Sequence, residues 1–375
     1  MVQHPARLAM VGLGAAALVI SGALPAQAGG GHGHHHGHKH HEKITTVAEL
    51  SGPRGVDSIA PGKTLVTQDN GDLSLVVERG RHRDARVIRL SGLPESAGFS
   101  NAVSSSHGRT YVLTGAGEGA GSATLYRLMG DDLTPVADIG AYQVTDPDPN
   151  DLEDFPEDSN PYGVVALRDG TVLVADAAAN ELLRVWPDGT IRTVARVKPR
   201  TVAVPDGLPA TDPEGNPLPP AGTQIPSEAV TTSVTVGSDG YWYVGELRGF
   251  PATPGTSQIW RIRPGTLDAT CDPEAPDQGD CTRYADGLTS IVDLSADRHG
   301  HIYATSLSKM SWLAMELEVP GSEVGAIIEL SHGGQQSREI AEDKVILPGG
   351  TDVASNGDLY LTGPIFGPGA LMKIR

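Results

Sequence analysis

Six times along the chain a tight turn opens onto a run rich in β-branched, aliphatic and aromatic residues. The phrases are Pro61-Gly62-Lys63-Thr64-Leu65-Val66, His107-Gly108-Arg109-Thr110-Tyr111-Val112 and Asp169-Gly170-Thr171-Val172-Leu173-Val174. They continue with Asp239-Gly240-Tyr241-Trp242-Tyr243-Val244, His299-Gly300-His301-Ile302-Tyr303-Ala304 and Asn356-Gly357-Asp358-Leu359-Tyr360-Leu361. Glycine at the turn, followed by residues that suit a pleated surface, predicts a hairpin entering a strand. Successive turn glycines are 46, 62, 70, 60 and 57 residues apart, and each interval holds one four-stranded blade with loops of variable length.

A second pattern follows most of these hairpins: Leu125-Tyr126-Arg127-Leu128, Leu182-Leu183-Arg184-Val185, Ile259-Trp260-Arg261-Ile262, Ile327-Ile328-Glu329-Leu330 and Leu371-Met372-Lys373-Ile374. Apolar residues two apart with a charge between them predict third strands. The first blade's third strand is expected near Leu73 to Val77. In blade three, Pro187-Asp188-Gly189 turns into a fourth strand from Thr190 to Val194.

The chain stops at Arg375, directly after the sixth third strand, which leaves the last blade one strand short. The segment Ile44 to Leu50 precedes the first repeat and is the natural replacement. Such pairing of the two termini would close the ring and remove a sheet edge. The expected fold is therefore all-β: one six-bladed β-propeller of the NHL/TolB-like kind over residues 44–375. A linear solenoid would need shorter and more constant repeats.

In such a ring the turns between first and second strands share a face with those between third and fourth. The long insertions, at 141–160, 198–228, 245–258 and 306–325, all fall on the opposite face. Loops on a rigid scaffold are where binding usually resides. Seven positions before the turn glycines, the inner strands carry Gly55, Asn101, Gly163, Ser233, Asp293 and Gly350. Six positions after them stand Gln68, Thr114, Asp176, Glu246, Ser306 and Gly363. On this register Asn101, Asp176, Glu246 and Asp293 ring the channel mouth, as ligands for Ca²⁺ or as an acid/base pair. Asn101 and Asp293, on opposed blades two and five, are the candidate calcium ligands. The alternative is that these groups cap loop backbones or hold channel water.

The insertion from Asp146 to Glu157 has oxygens at its first, third, fifth and twelfth positions, as a calcium loop does. It lacks the central glycine and contains three prolines, so it reads as a solvated acidic loop. The stretch 198–228 reads as an extended flap. No glycine-rich phosphate loop, zinc helix or nucleophile elbow is present.

A basic start at Arg7, an apolar run from Leu8 to Leu24 and Pro25-Ala26-Gln27-Ala28 give residues 1–28 the layout of a secretory signal peptide. The expectation is a secreted protein with no membrane span after cleavage. Residues 29–43 form a His-rich tail expected to be disordered, in which His34, His36 and His38 have spacing compatible with weak metal capture. Cys271 and Cys281 are the two cysteines, and in an exported chain they most simply form one local disulfide. With 46 acidic against 28 basic residues the formal charge is −18, which disfavours nucleic acid and anionic membrane surfaces as partners.

Asp158-Ser159-Asn160-Pro161-Tyr162-Gly163, Val174-Ala175-Asp176-Ala177, Tyr243-Val244-Gly245-Glu246-Leu247 with Gly249-Phe250-Pro251, and Ile291-Val292-Asp293 together resemble the ScyD/ScyE family. The resemblance spans about residues 44–375 and implies an exported NHL-like propeller. Asn160, Tyr162 and Phe250, which lie in these motifs, join the candidate ligand-binding set. The family's association with the sunscreen scytonemin is not carried over, and no catalytic residue transfers. The long acidic and Pro-rich insertions depart from the simpler family pattern. Two functions compete: a monomeric, non-catalytic module binding a small molecule or an exported protein on the long-loop face, and a calcium-dependent lactonase- or lyase-like enzyme. Sparse oxygens beside a full calcium cage favour the first.

Overall fold

The computed structural model describes residues 42–375 except 81–82, 94–99 and 212–214; the expected leader and the His-rich stretch containing His34, His36 and His38 lie outside the described residues. Six antiparallel sheets form the blades of a β-propeller. Their inner strands are Val56–Ala60, Ser100–Ser106, Pro161–Ala166, Thr231–Val236, Ile291–Ala296 and Gly350–Val353. The turn-glycine phrases supply the second strands, and the expected third strands follow, including Asp72–Val77 in blade one.

Ring closure takes the expected route. Ile44–Ser51 pairs antiparallel with Pro368–Ile374 and becomes the outermost strand of blade six. The ladder begins one residue earlier than expected, because Lys43 and Arg375 exchange backbone hydrogen bonds of 2.8 and 3.1 Å. Side chains extend the junction: buried Lys373 of blade six reaches Asp358 at 2.6 Å and Glu78 of blade one at 3.1 Å.

Apolar faces of adjacent blades pack together. Between blades three and four, Leu173, Ala175 and Leu182 meet Val234, Val244, Trp260 and Ile262. Burying an aliphatic side chain of this size stabilises by about 1.5–3 kcal/mol, which explains why apolar residues alternate along the strands. The same two blades share a clasp that the sequence does not announce. Ala269–Cys271, from the loop between the last two strands of blade four, joins blade three as a fifth strand parallel to Ile191–Val197. The Cys271–Cys281 disulfide ties its end back to blade four, and both sulfur residues are buried.

The long insertions are ordered where described. Arg200–Ala203 and Gln224–Ser227 pair as a separate hairpin within the flap. A short helix, Ile139–Gln143, starts the acidic insertion with Asp138 capping it through Ala141 N–H at 2.8 Å. A second, Trp312–Glu316, lies in the blade-five insertion. No helix among the described residues is long and apolar enough to cross a membrane.

Candidate functional site

The inner strands surround a narrow channel with a free volume of about 90 Å³. Each is the inner edge of its sheet, so half of its backbone amides face the axis rather than the second strand. Side chains of neighbouring blades satisfy several of them. Asp352 of blade six accepts from Ser58 N–H of blade one at 2.6 Å, and Asp293 of blade five accepts from Thr351 N–H of blade six at 2.7 Å. Ser104 of blade two accepts from Ala166 N–H of blade three at 3.0 Å. Asp57 of blade one is hydrogen-bonded to Ser105 of blade two.

Three carboxylates from consecutive blades thus share the channel wall. Burial first, and the neighbouring Asp352 charge second, raises Asp57 to about 7. Burial raises Asp293 to about 8, against the opposing Thr351 hydrogen bond and with Asp352 adding to the rise. Burial likewise raises Asp352 itself. Asp57 Oδ2 has no hydrogen-bond partner among the described residues. At Gly350 a methyl group would stand 2.9 Å from Asp293 Oδ2, so glycine there makes room for the carboxylate.

The structure also fixes where the expected mouth residues stand. Register along four inner strands is interrupted by a bulge that leaves Tyr162, Thr232, Val292 and Asn101 unpaired. The position equivalent to Gly163, Ser233 and Asp293 in blade two is therefore Ala102, and Asn101 sits one residue off the assumed register. The cause is the turn. Ser106 and Arg109 flank only His107 and Gly108, with φ 50° and 75°, whereas Ala166 and Val172 flank five residues in blade three. The Asn101 side chain lies outside what the structure describes.

Asp176 and Glu246 end their second strands where expected, but each is buried and turned to its own surroundings. Asp176 accepts from Ser159 Oγ at 2.6 Å and from the N–H groups of Asn160, Ala178 and Ala179 at 2.8, 3.2 and 3.3 Å. Burial still lifts it to about 6. Glu246 is paired with buried Arg248 and accepts from Trp260 Nε1 at 2.6 Å and Gln258 N–H at 3.1 Å. Asn160 accepts from Ala116 N–H at 3.0 Å, tying two loops together. The acidic insertion is consumed in the same way: Asp148 holds Asn180 at 3.0 Å, and Glu228 holds Leu152 N–H at 2.7 Å.

Above the carboxylates an apolar plug adjoins the channel, sharing Tyr162 and Val292 with its wall. Tyr162, Val292, Leu307, Trp312, Leu347 and Ile365 are buried in one cluster, with Leu208, Phe250, Met315 and Phe366 partly buried around them. The insertions build this plug, and Trp312 is anchored through Nε1 to Arg248 O at 2.8 Å. Tyr162 connects plug and channel. Burial raises its hydroxyl, Arg54 opposes that rise and Asp293 adds to it. The structure thus brings Tyr162, Phe250 and Asp293 to one end of the channel and leaves Asp176 and Glu246 inside their blades.

Arg54, Asp57 and Asp352 were not singled out by sequence. A signal exists: two positions past the inner-strand glycines Gly55 and Gly350 stand Asp57 and Asp352, acids where a converging strand would otherwise be apolar. Among the described residues no group of three or more His, Cys, Asp or Glu side chains is arranged to hold a metal ion. Asp293 Oδ2 accepts from Thr351 N–H, and the side chain of Asn101, its expected partner as a calcium ligand, lies outside the described residues.

The sequence matches no family profile and no curated protein. Solved structures share the architecture at low identity. A gluconolactonase from Xanthomonas campestris is 13% identical with a TM-score of 0.53, over 89% of each chain. A glucose dehydrogenase is 12% identical with a TM-score of 0.54, over 88% of this chain and 99% of its own. A protein of unknown function from Bacteroides thetaiotaomicron is 10% identical with a TM-score of 0.51, over 89% of this chain and 75% of its own. These likenesses establish the propeller fold and leave function to the site.

Proposed function

We propose that the chain is an exported binding module of the ScyD/ScyE type, whose long-loop face takes a small ligand or protein segment with an apolar surface. One observation carries this reading. The polar residues Asn160, Asp176 and Glu246 are committed to intramolecular hydrogen bonds, while Leu208, Phe250, Met315 and Phe366 stay partly exposed over the plug. A rim of adaptable apolar side chains on a rigid ring suits recognition. The test is a fluorescence titration with the apolar dye 8-anilinonaphthalene-1-sulfonate, using Phe250→Ser and Phe366→Ser. Saturable binding that weakens in both variants without loss of fold supports the reading; equal binding by all three proteins contradicts it.

A second reading is a hydrolase or lyase of lactone-like substrates. The observation favouring it is the set Asp57, Asp293 and Asp352, of which Asp57 and Asp293 are held protonated into the neutral range and so suit proton transfer. Turnover of a lactone that Asp293→Asn abolishes would establish this reading over the first.

A further inference from the structure

On the opposite, turn-bearing face, a cavity of about 290 Å³ lies across the seam of blades four and five. It is larger than the channel and close to the lower end of small-ligand pockets, roughly 300 Å³. Its walls are Tyr243 and half-buried Tyr284, whose rings meet edge to face at 4.8 Å. Three turns, at 237–240, 297–300 and 331–334, form most of the rest. Gly237 leaves space for the Tyr243 ring, and Gly300 lets the His332 ring lie against the turn, where a methyl group would come within 2.1 Å.

The polar groups are preorganised and electrically balanced. Arg261 donates to Asp239 Oδ2 from Nη2 at 2.9 Å and from Nε at 3.2 Å, and Tyr243 donates to the same oxygen at 2.8 Å. The guanidinium also lies over the Tyr241 ring, 3.3 Å from its centre. Arg261 Nη1 and the His332 ring make no hydrogen bond among the described residues. Among the described residues Asp239 Oδ1 accepts only from Tyr241 N–H, at 3.1 Å, which leaves it room for one more donor. The pocket therefore offers aromatic surface, this carboxylate oxygen, a spare guanidinium donor and an imidazole, with the ion pair cancelling net charge. A ligand carrying C–H faces and vicinal hydroxyls, but no charge, matches all four.

We propose that this seam binds a neutral monosaccharide ring, stacked against Tyr284 and hydrogen-bonded by Asp239, Arg261 and His332. It lies on the face away from the apolar plug, so its failure and that of the long-loop reading are separable.

The test is saturation-transfer NMR on the full chain with D-glucose, D-galactose, D-mannose and N-acetyl-D-glucosamine, with inorganic phosphate and acetate as charged competitors. At least one sugar is expected to bind weakly and to be left in place by the competitors. Asp239→Asn should weaken it about tenfold through loss of charge-assisted bonds. Ser238→Trp, an exposed turn substitution that fills the cavity, should abolish it while Phe250→Ser leaves it unchanged. Absence of binding by every sugar, displacement by phosphate or acetate, or binding that survives Ser238→Trp overturns the proposal.

Discussion

Asp352 Oδ2 accepts the backbone N–H of Ser58 at 2.6 Å and so joins the last blade to the first along the channel wall. This is the inner counterpart of the outer closure, where Ile44–Ser51 completes blade six. Removing the carboxylate leaves a buried amide without its partner. Asp352→Ala is therefore expected to lower stability by about 1–3 kcal/mol, read as a shift of the urea midpoint at unchanged m-value.

The same carboxylates give the fold a pH dependence of definite sign. Asp57 and Asp293 sit at about 7 and about 8 in the folded chain, against an ordinary value of 3.8. Between those limits the folded state binds more protons than the unfolded one, so stability falls as pH rises. Their contribution is fully present below about 4 and lost by about pH 8. Melting temperatures measured across this range should decline towards alkaline pH, and Asp293→Asn should flatten the decline. An unchanged slope in that variant would remove Asp293 from the account.

Glu246 and Arg248 form a buried ion pair inside blade four. Deleting one partner strands the other, so Arg248→Met is expected to cost about 3–5 kcal/mol in chemical denaturation. Asp176→Ala, which frees the four donors it serves, should also destabilise. Neither side chain is among the plug residues, and Trp312 is held by the Arg248 carbonyl rather than its side chain, so surviving folded protein should bind apolar dye as wild type does.

The Cys271–Cys281 bond closes a ten-residue separation and holds the strand that blade four lends to blade three. Replacing both cysteines with serine should lower stability by about 2–3 kcal/mol. Hydrogen exchange should accelerate first at Ala269–Cys271 and at its partners Ala195 to Val197.

Blade number and closure were legible because a turn glycine and a period-two strand recur with little need of distant partners. The missing last strand was legible by subtraction. Other features depended on contacts that no local pattern encodes. A two-residue turn at His107-Gly108 displaced Asn101 from the register assumed for it. Asp176 and Glu246 were placed correctly along their strands, yet their roles depend on loop amides and on Arg248. The lent fifth strand was hidden because three residues, Ala269–Cys271, are too short to carry periodicity. The apolar plug draws on insertions from separate blades, so its residues converge only in three dimensions.

Lactone hydrolysis, assayed over a panel of sugar and aliphatic lactones with and without added Ca²⁺, tests the binding-module account most directly. The account predicts no turnover above the uncatalysed rate in either condition. Calcium-dependent turnover that disappears in Asp293→Asn would contradict it.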